Sequence, residues 1–154
     1  TQSTTKGEDT MTAIDETDQR ILTMLEADGR ATLAQLAQAT GLSVSAAQSR
    51  VQKLEKRGII KGYKAIIDQE QRGLPISAFV NVTPLDYSAE SSIPDKLNNI
   101  DGIVSCYSVA GAPSFVLVVR VASPTALEEL LNLIHRTVPV STETTMILQT
   151  YFAH

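Results

Sequence analysis

The chain has one cysteine and two histidines among 154 residues. Cys106 alone rules out an internal disulfide, and its apolar-rich surroundings mark it as a small core residue rather than a nucleophile or ligand. His135 falls near the end of a helical pattern and His154 is the last residue. Neither has a cysteine, carboxylate or glycine-loop constellation beside it, so the sequence offers no catalytic group, no metal site and no cofactor site. Long apolar runs are also missing. No stretch reaches the roughly 18 residues needed to cross a bilayer, and the polar N-terminus lacks the apolar centre of a secretion signal. The expectation is a soluble, cytoplasmic protein with no membrane partner.

Basic residues are scarce in the second half. Beyond residue 75 only Lys96, Arg120 and Arg136 stand against seven acids, whereas residues 50 to 64 hold Arg50, Lys53, Lys56, Arg57, Lys61 and Lys64 against Glu55 alone. The net charge of -4 averages these two regions. Over a screening length of about 10 Å the local excess is what a polyanion meets, so the first half can approach a phosphate backbone and the second cannot.

What is present divides at the same place. Residues 1–13 have no apolar periodicity and read as a disordered N-terminal segment. "DETDQRILTMLEADG" has acids in its first turn, Ile21, Leu22 and Leu25 at helical spacing, and Gly29 as a stop. Thr32 is placed to cap a short helix through "LAQLAQAT", which ends at Gly41, and Ser43 to cap a third helix. Along that helix Val44, Ala47, Val51 and Leu54 form a narrow buried seam. A helix that only closed a core would show a wider apolar face. Ser45, Gln48, Ser49, Gln52, Lys53 and Lys56 fill the remaining arc, with hydroxyls and amides towards the N-terminal end and ammonium groups further along. Short polar side chains reach base edges in the major groove, and long cationic ones reach phosphates. A solvated helix face is the bland alternative. The glycine turn before the third helix and the basic stretch favour a helix-turn-helix over residues 14–62 that reads double-stranded DNA through Ser43, Ser45, Gln48, Ser49, Arg50, Gln52, Lys53, Lys56 and Arg57. Gly58 ends the helix, and "YKAIID" is expected as a short wing or strand within a hinge over residues 63–75.

Residues 76–154 follow another pattern. "ISAFVNVTP", "IVSCYSVA", "FVLVVRVA" and "TETTMILQTYF" read as strands, and "AESSIPDKLNNI" and "SPTALEELLNLIHRT" as helices. The order β-α-β-β-α-β is that of ferredoxin-like folds, which makes the whole chain α+β. Phe115 to Val121 is nearly unbroken in its apolar character. A strand covered on one face alternates, so both sheet faces call for burial, and two helices cover only one. The other is expected to pack on a copy of itself in a symmetric dimer, which would also supply paired recognition helices.

Three segments together resemble the Lrp/AsnC, or feast/famine, transcriptional regulators: "IDETDQRILTMLEADGR", "GLSVSAAQSRVQKLEKRGIIKGY" and "SVAGAPSFVLVVRV". The resemblance spans residues 14 to about 152. It implies a winged or plain helix-turn-helix joined to an effector-binding ferredoxin-like domain, dimers assembled into octamers or larger arrays, and small-molecule effectors that are usually amino acids. By that resemblance the effector turn is Ser108, Gly111, Ala112, Pro113 and Ser114, completed by a neighbouring subunit, with Ser141, Thr142 and Thr145 as part of the wall. Family members often carry acids directly after the glycine and at the position of Ser114, and this chain has Ala112 and Ser114 there. The resulting expectation is a nucleoid-associated, sequence-specific regulator responding to an amino acid. The alternative is an architectural DNA-compacting protein with little effector dependence.

Overall fold

The structure, a computed structural model, describes residues 13–154. The disordered segment expected over residues 1–13 therefore lies outside the described residues, apart from Ala13. The chain forms two compact units that divide between Ile66 and Ile67, inside the expected hinge.

The first unit has three helices: α1 (Glu16–Ala27), α2 (Leu33–Thr40) and α3 (Val44–Lys56). Each begins where its sequence supplies a cap. The Asp15 carboxylate accepts from the Asp18 amide at 2.8 Å. Thr32 and Gln35 exchange side-chain and backbone bonds in a capping box, and the Ser43 hydroxyl accepts from the Ala46 amide at 3.2 Å. Gly41 ends α2 at φ 71°, a left-handed turn that costs glycine little and lets the cap of α3, Ser43, follow two residues later. Ile21, Leu36, Ala37, Ala47, Val51 and Leu54 are the core. Val44 does not belong to it, because the first turn of α3 projects past α2 and leaves this side chain 50% exposed.

No strand forms over residues 63–68. The expected wing has apolar residues but no pairing partner among the described residues, and Ile66 is 98% exposed. Tyr63 instead turns back, its hydroxyl 3.2 Å from a Glu55 carboxylate oxygen on α3.

The second unit is an antiparallel sheet of β1 (Ile76–Pro84), β2 (Ile103–Ser108), β3 (Phe115–Val121) and β4 (Val140–Met146), in the order β2-β3-β1-β4. The long helix α5 (Pro124–Thr137) and the short α4 (Ile93–Leu97) contribute Leu127, Leu130, Ile134, Ile93 and Leu97 to its core. This is the expected split β-α-β-β-α-β fold. The first of its helices is shorter than the apolar spacing indicated. Pro94 restricts the residues before it, so Tyr87–Ser92 winds as a 3-10 turn capped by Asp86 and only Ile93–Leu97 is α-helical. The last strand starts earlier and stops sooner than expected: it pairs with β1 from Val140, opposite Pro84, to Met146, opposite Ala78, and one further bond runs from the Ile147 amide to the Ser77 carbonyl at 2.9 Å.

Register assigns the faces. Phe115, Leu117, Val119 and Val121 are buried under the helices, and Val116, Val118 and Arg120 alternate with them on the open face. Phe79 lies opposite both Val118 and Thr145, and Tyr107 opposite Val116, on that same open face. Cys106 corrects the sequence reading. It sits opposite Leu117 on the helix side, but β2 is an edge strand, and the thiol is exposed rather than core.

Candidate DNA interface and ligand pocket

On α3 the division into buried seam and polar arc is nearly as read. Ala47, Val51 and Leu54 face the core, while Ser45, Gln48, Ser49, Gln52, Lys53 and Lys56 are exposed along the outer surface. The amide and hydroxyl groups thus project from the first two turns and the ammonium groups from the last two. Lys53 and Lys56 also lie where a cation complements the helix C-terminus. Two of the expected DNA contacts have other duties. Ser43 spends its hydroxyl on the cap and approaches the Ser45 hydroxyl at 3.3 Å. Arg50 turns towards α1, where its guanidinium bonds the Asp15 carboxylate and lies 3.2 Å from Asp18. The backbone amide of Asp18 and, next, the Arg50 guanidinium hold the Asp15 carboxyl below the usual aspartate range. Arg50 is thereby a tie between the first and third helices.

In the sheet unit a pocket of about 280 Å³ is lined by Asn81, Thr83, Ala112, Pro113, Ser141, Thr142 and Glu143. The topology makes it. β1 pairs with β4, so Asn81 is opposite Glu143 and Thr83 opposite Ser141, all four on the open face. The β2–β3 turn reaches the same end of the sheet because Ser114 donates its amide to the Val82 carbonyl at 3.0 Å, and its own carbonyl accepts from Val109 at 3.2 Å. Four of the expected effector residues, Ala112, Pro113, Ser141 and Thr142, therefore meet across 28 positions of sequence.

The rest are placed differently. Ser108 and Ser114 do not line the pocket, and Thr145 lies two positions beyond Glu143, opposite Phe79. Gly111 is exposed, and an added Cβ there would meet nothing within 4 Å, so the turn does not demand glycine for its own packing. Thr142 shares a hydrogen bond of 2.9 Å with His135 Nε2 at the end of α5, so its hydroxyl is directed to the helix side. Two lining residues, Asn81 and Thr83, were not anticipated from sequence, and Glu143 lies within the expected wall from Ser141 to Thr145 without having been singled out. Only the alternation of β1 and β4 pointed to them, and alternation gives the face but not the pairing. No group of three or more histidine, cysteine or acidic residues able to hold a metal occurs among the described residues, and no helix there is long and apolar enough to cross a membrane.

A capped helix-turn-helix with a polar recognition face, followed by a ferredoxin-like unit with a small polar pocket, defines a DNA-binding protein with a separate ligand-binding domain. Residues 14–61 match the winged helix-turn-helix DNA-binding family, and residues 77–154 the Lrp/AsnC ligand-binding domain. The HTH-type transcriptional regulator LrpA of Mycobacterium tuberculosis is 52% identical over 141 residues, covering 92% of this chain and 94% of that protein. Among solved structures, a feast or famine regulatory protein from M. tuberculosis complexed with L-methionine superposes with a TM-score of 0.89 at 52% identity, covering 92% of this chain and 96% of the other. AsnC of E. coli superposes at 0.85 with 29% identity, covering 92% and 97%. The chain belongs to the Lrp/AsnC family of transcriptional regulators, which are DNA-binding proteins rather than enzymes.

Proposed function

We propose that this regulator reads its operator through the outer arc of α3 and responds to an amino acid bound in the pocket between the β2–β3 turn and β4. The observation that carries the reading is the convergence of Ala112 and Pro113 with β4 at Ser141 and Thr142, around one end of the open sheet face. The methionine complex of the M. tuberculosis protein supports an amino acid as the ligand class.

Ser45, Gln48, Ser49 and Gln52 reach base edges, and Lys53, Lys56 and Arg57 serve the phosphates. Ser43 caps the helix that carries them, and Arg50 orients that helix from behind. Ser108, Gly111, Ser114 and Thr145 flank the ligand pocket, where a second copy of the chain closes it. That copy belongs to a neighbouring dimer, and the dimer itself forms through the open sheet face, on which Phe79 is 43% and Tyr107 55% exposed beside Val116 and Val118. Dimers joined in this way place two recognition helices on paired half-sites, and further association gives octamers or larger rings. Ligand and assembly are then linked, since a molecule that binds the closed pocket better than the open one shifts the equilibrium by that difference in affinity. The protein acts in the cytoplasm, on the nucleoid.

Genome-wide binding of the tagged protein, with and without added L-methionine or L-leucine, tests the reading. Discrete sites whose occupancy changes with the amino acid are expected. Uniform coverage that no amino acid alters would overturn it in favour of a compacting protein.

A further inference from the structure

The ligand pocket contains one charged group, and it is an acid. Glu143 stands on β4 directly opposite Asn81, between Ser141 and Thr145 on the open face, with its side chain exposed to the pocket's mouth. No cation lines the pocket. The nearest basic residue on that face by register is Arg120, which pairs with Ser77, four strand positions from Asn81. Glu143 enters neither of the ion pairs that Arg50 makes in the other unit. The Glu143 carboxylate is therefore an unneutralised charge at the wall of a small cavity whose other polar groups are neutral. On the opposite wall the amide of Ala112 donates no backbone hydrogen bond among the described residues, and neither do those of Ala110 and Gly111 just before it in the turn.

Resting on the reading of this pocket as the effector site, we infer that Glu143 is its specificity-determining residue. Its carboxylate accepts from the ammonium group of the ligand, and recognition is led by that ammonium rather than by the ligand's carboxylate. The chemistry follows from charge. A carboxylate gains a charge-assisted hydrogen bond from an ammonium group and repels a carboxylate. Asn81 can orient the same ammonium with its side-chain oxygen, while the amides of the turn hold a neutral carbonyl as well as an ionised carboxyl. The ligand class is thus α-amino compounds with a free ammonium group, including amino-acid amides that lack the acid. The missing loop acids at Ala112 and Ser114 are replaced by an acid on the facing strand.

Titration calorimetry on the full-length protein with L-methionine, L-methioninamide and N-acetyl-L-methionine tests this, with Glu143→Gln, Glu143→Asp and Ala112→Trp as variants. The amide should bind within about threefold of methionine, the N-acetyl compound should give no heat, and Glu143→Gln should weaken both amines by about tenfold or more. Glu143→Asp should recover part of that loss, and Ala112→Trp, on an exposed turn, should fill the cavity and abolish binding. If Ala112→Trp abolishes binding but Glu143→Gln leaves it unchanged, the pocket stands and the role of Glu143 is overturned. Tight binding of the N-acetyl compound, or loss of the amide alone, also overturns it. If both variants bind as wild type does, or if wild type binds neither amine, the pocket itself is not the effector site and this inference falls with it.

Discussion

The helical unit buries six hydrophobic residues in its core and the sheet unit fourteen, yet the larger core is the one that leaves a whole sheet face with apolar side chains uncovered. Three short helices cannot enclose much. Each exposes most of its circumference, and on α3 that circumference is polar or cationic almost throughout. The sheet unit covers one face with α4 and α5 and leaves Phe79, Tyr107, Val116 and Val118 on the other. A fold that already has a full core does not need those residues for its own stability. The contrast teaches that the two units direct their spare surface at different partners, a polyanion for the first and a like surface for the second.

The largest expected effect separates the two faces of β3. Leu117 is fully buried, so Leu117→Ala should destabilise the sheet unit by about 2–5 kcal/mol in urea unfolding. Val118, one residue on, is on the open face opposite Phe79. Val118→Lys should spare the fold and reduce the assembled mass seen by light scattering, because a lysine buried against a second copy has no partner. Val116→Lys should behave like Val118→Lys, since the two side chains share a face. A Val118→Lys protein that keeps the wild-type mass would remove the sheet face from the assembly and break the contrast between the units.

What the sequence made legible follows the reach of each signal. Caps act within three residues, and Thr32 and Ser43 cap as their positions indicate, while Asp15, which reads as one of the acids of the first turn, is itself the cap of α1. Strand and helix order followed from periodicity, and so did the two-sided demand of Phe115 to Val121. Long-range pairing was not legible. Glu143 meets Asn81 only because β4 docks on β1 in one register, and Arg50 meets Asp15 across 35 positions only because α3 packs on α1. The exposure of Cys106 had the same origin, since nothing local told an edge strand from a central one. The wing failed for lack of a partner: residues 63–68 have strand composition but no neighbour to pair with among the described residues.

A smaller effect sorts the residues of α3. Gln48→Ala should cost about 1–3 kcal/mol on the operator and relax preference at one base pair, whereas Lys53→Ala should weaken every sequence and lower the salt slope by about one unit. Fluorescence anisotropy on operator and random duplexes, over a range of salt, makes the comparison. Equal losses for Gln48→Ala on both duplexes would mean that the polar arc only positions the helix. The spare surface of the first unit would then be electrostatic alone.

The smallest effect concerns Arg50, which faces inward although it lies in the basic stretch. Its guanidinium lies against Asp15 and Asp18 and not on the outer arc, so Arg50→Gln should loosen the seating of α3 without removing a phosphate contact. Operator affinity should fall slightly while the salt slope stays at its wild-type value, in contrast to Lys53→Ala. The same tie has a pH signature. The Asp15 carboxyl titrates below its ordinary value in the folded chain, so the stabilisation it gives is present above the ordinary aspartate pKa of about 3.9 and is lost as pH falls through the lower, folded value. Following the Asp15 side-chain carbon by NMR should show that depressed midpoint in the wild type. In Arg50→Gln the midpoint should rise only part of the way back, because the Asp18 amide, the larger cause, remains. A salt slope that drops by a full unit in Arg50→Gln would show that the guanidinium swings out to a phosphate on binding.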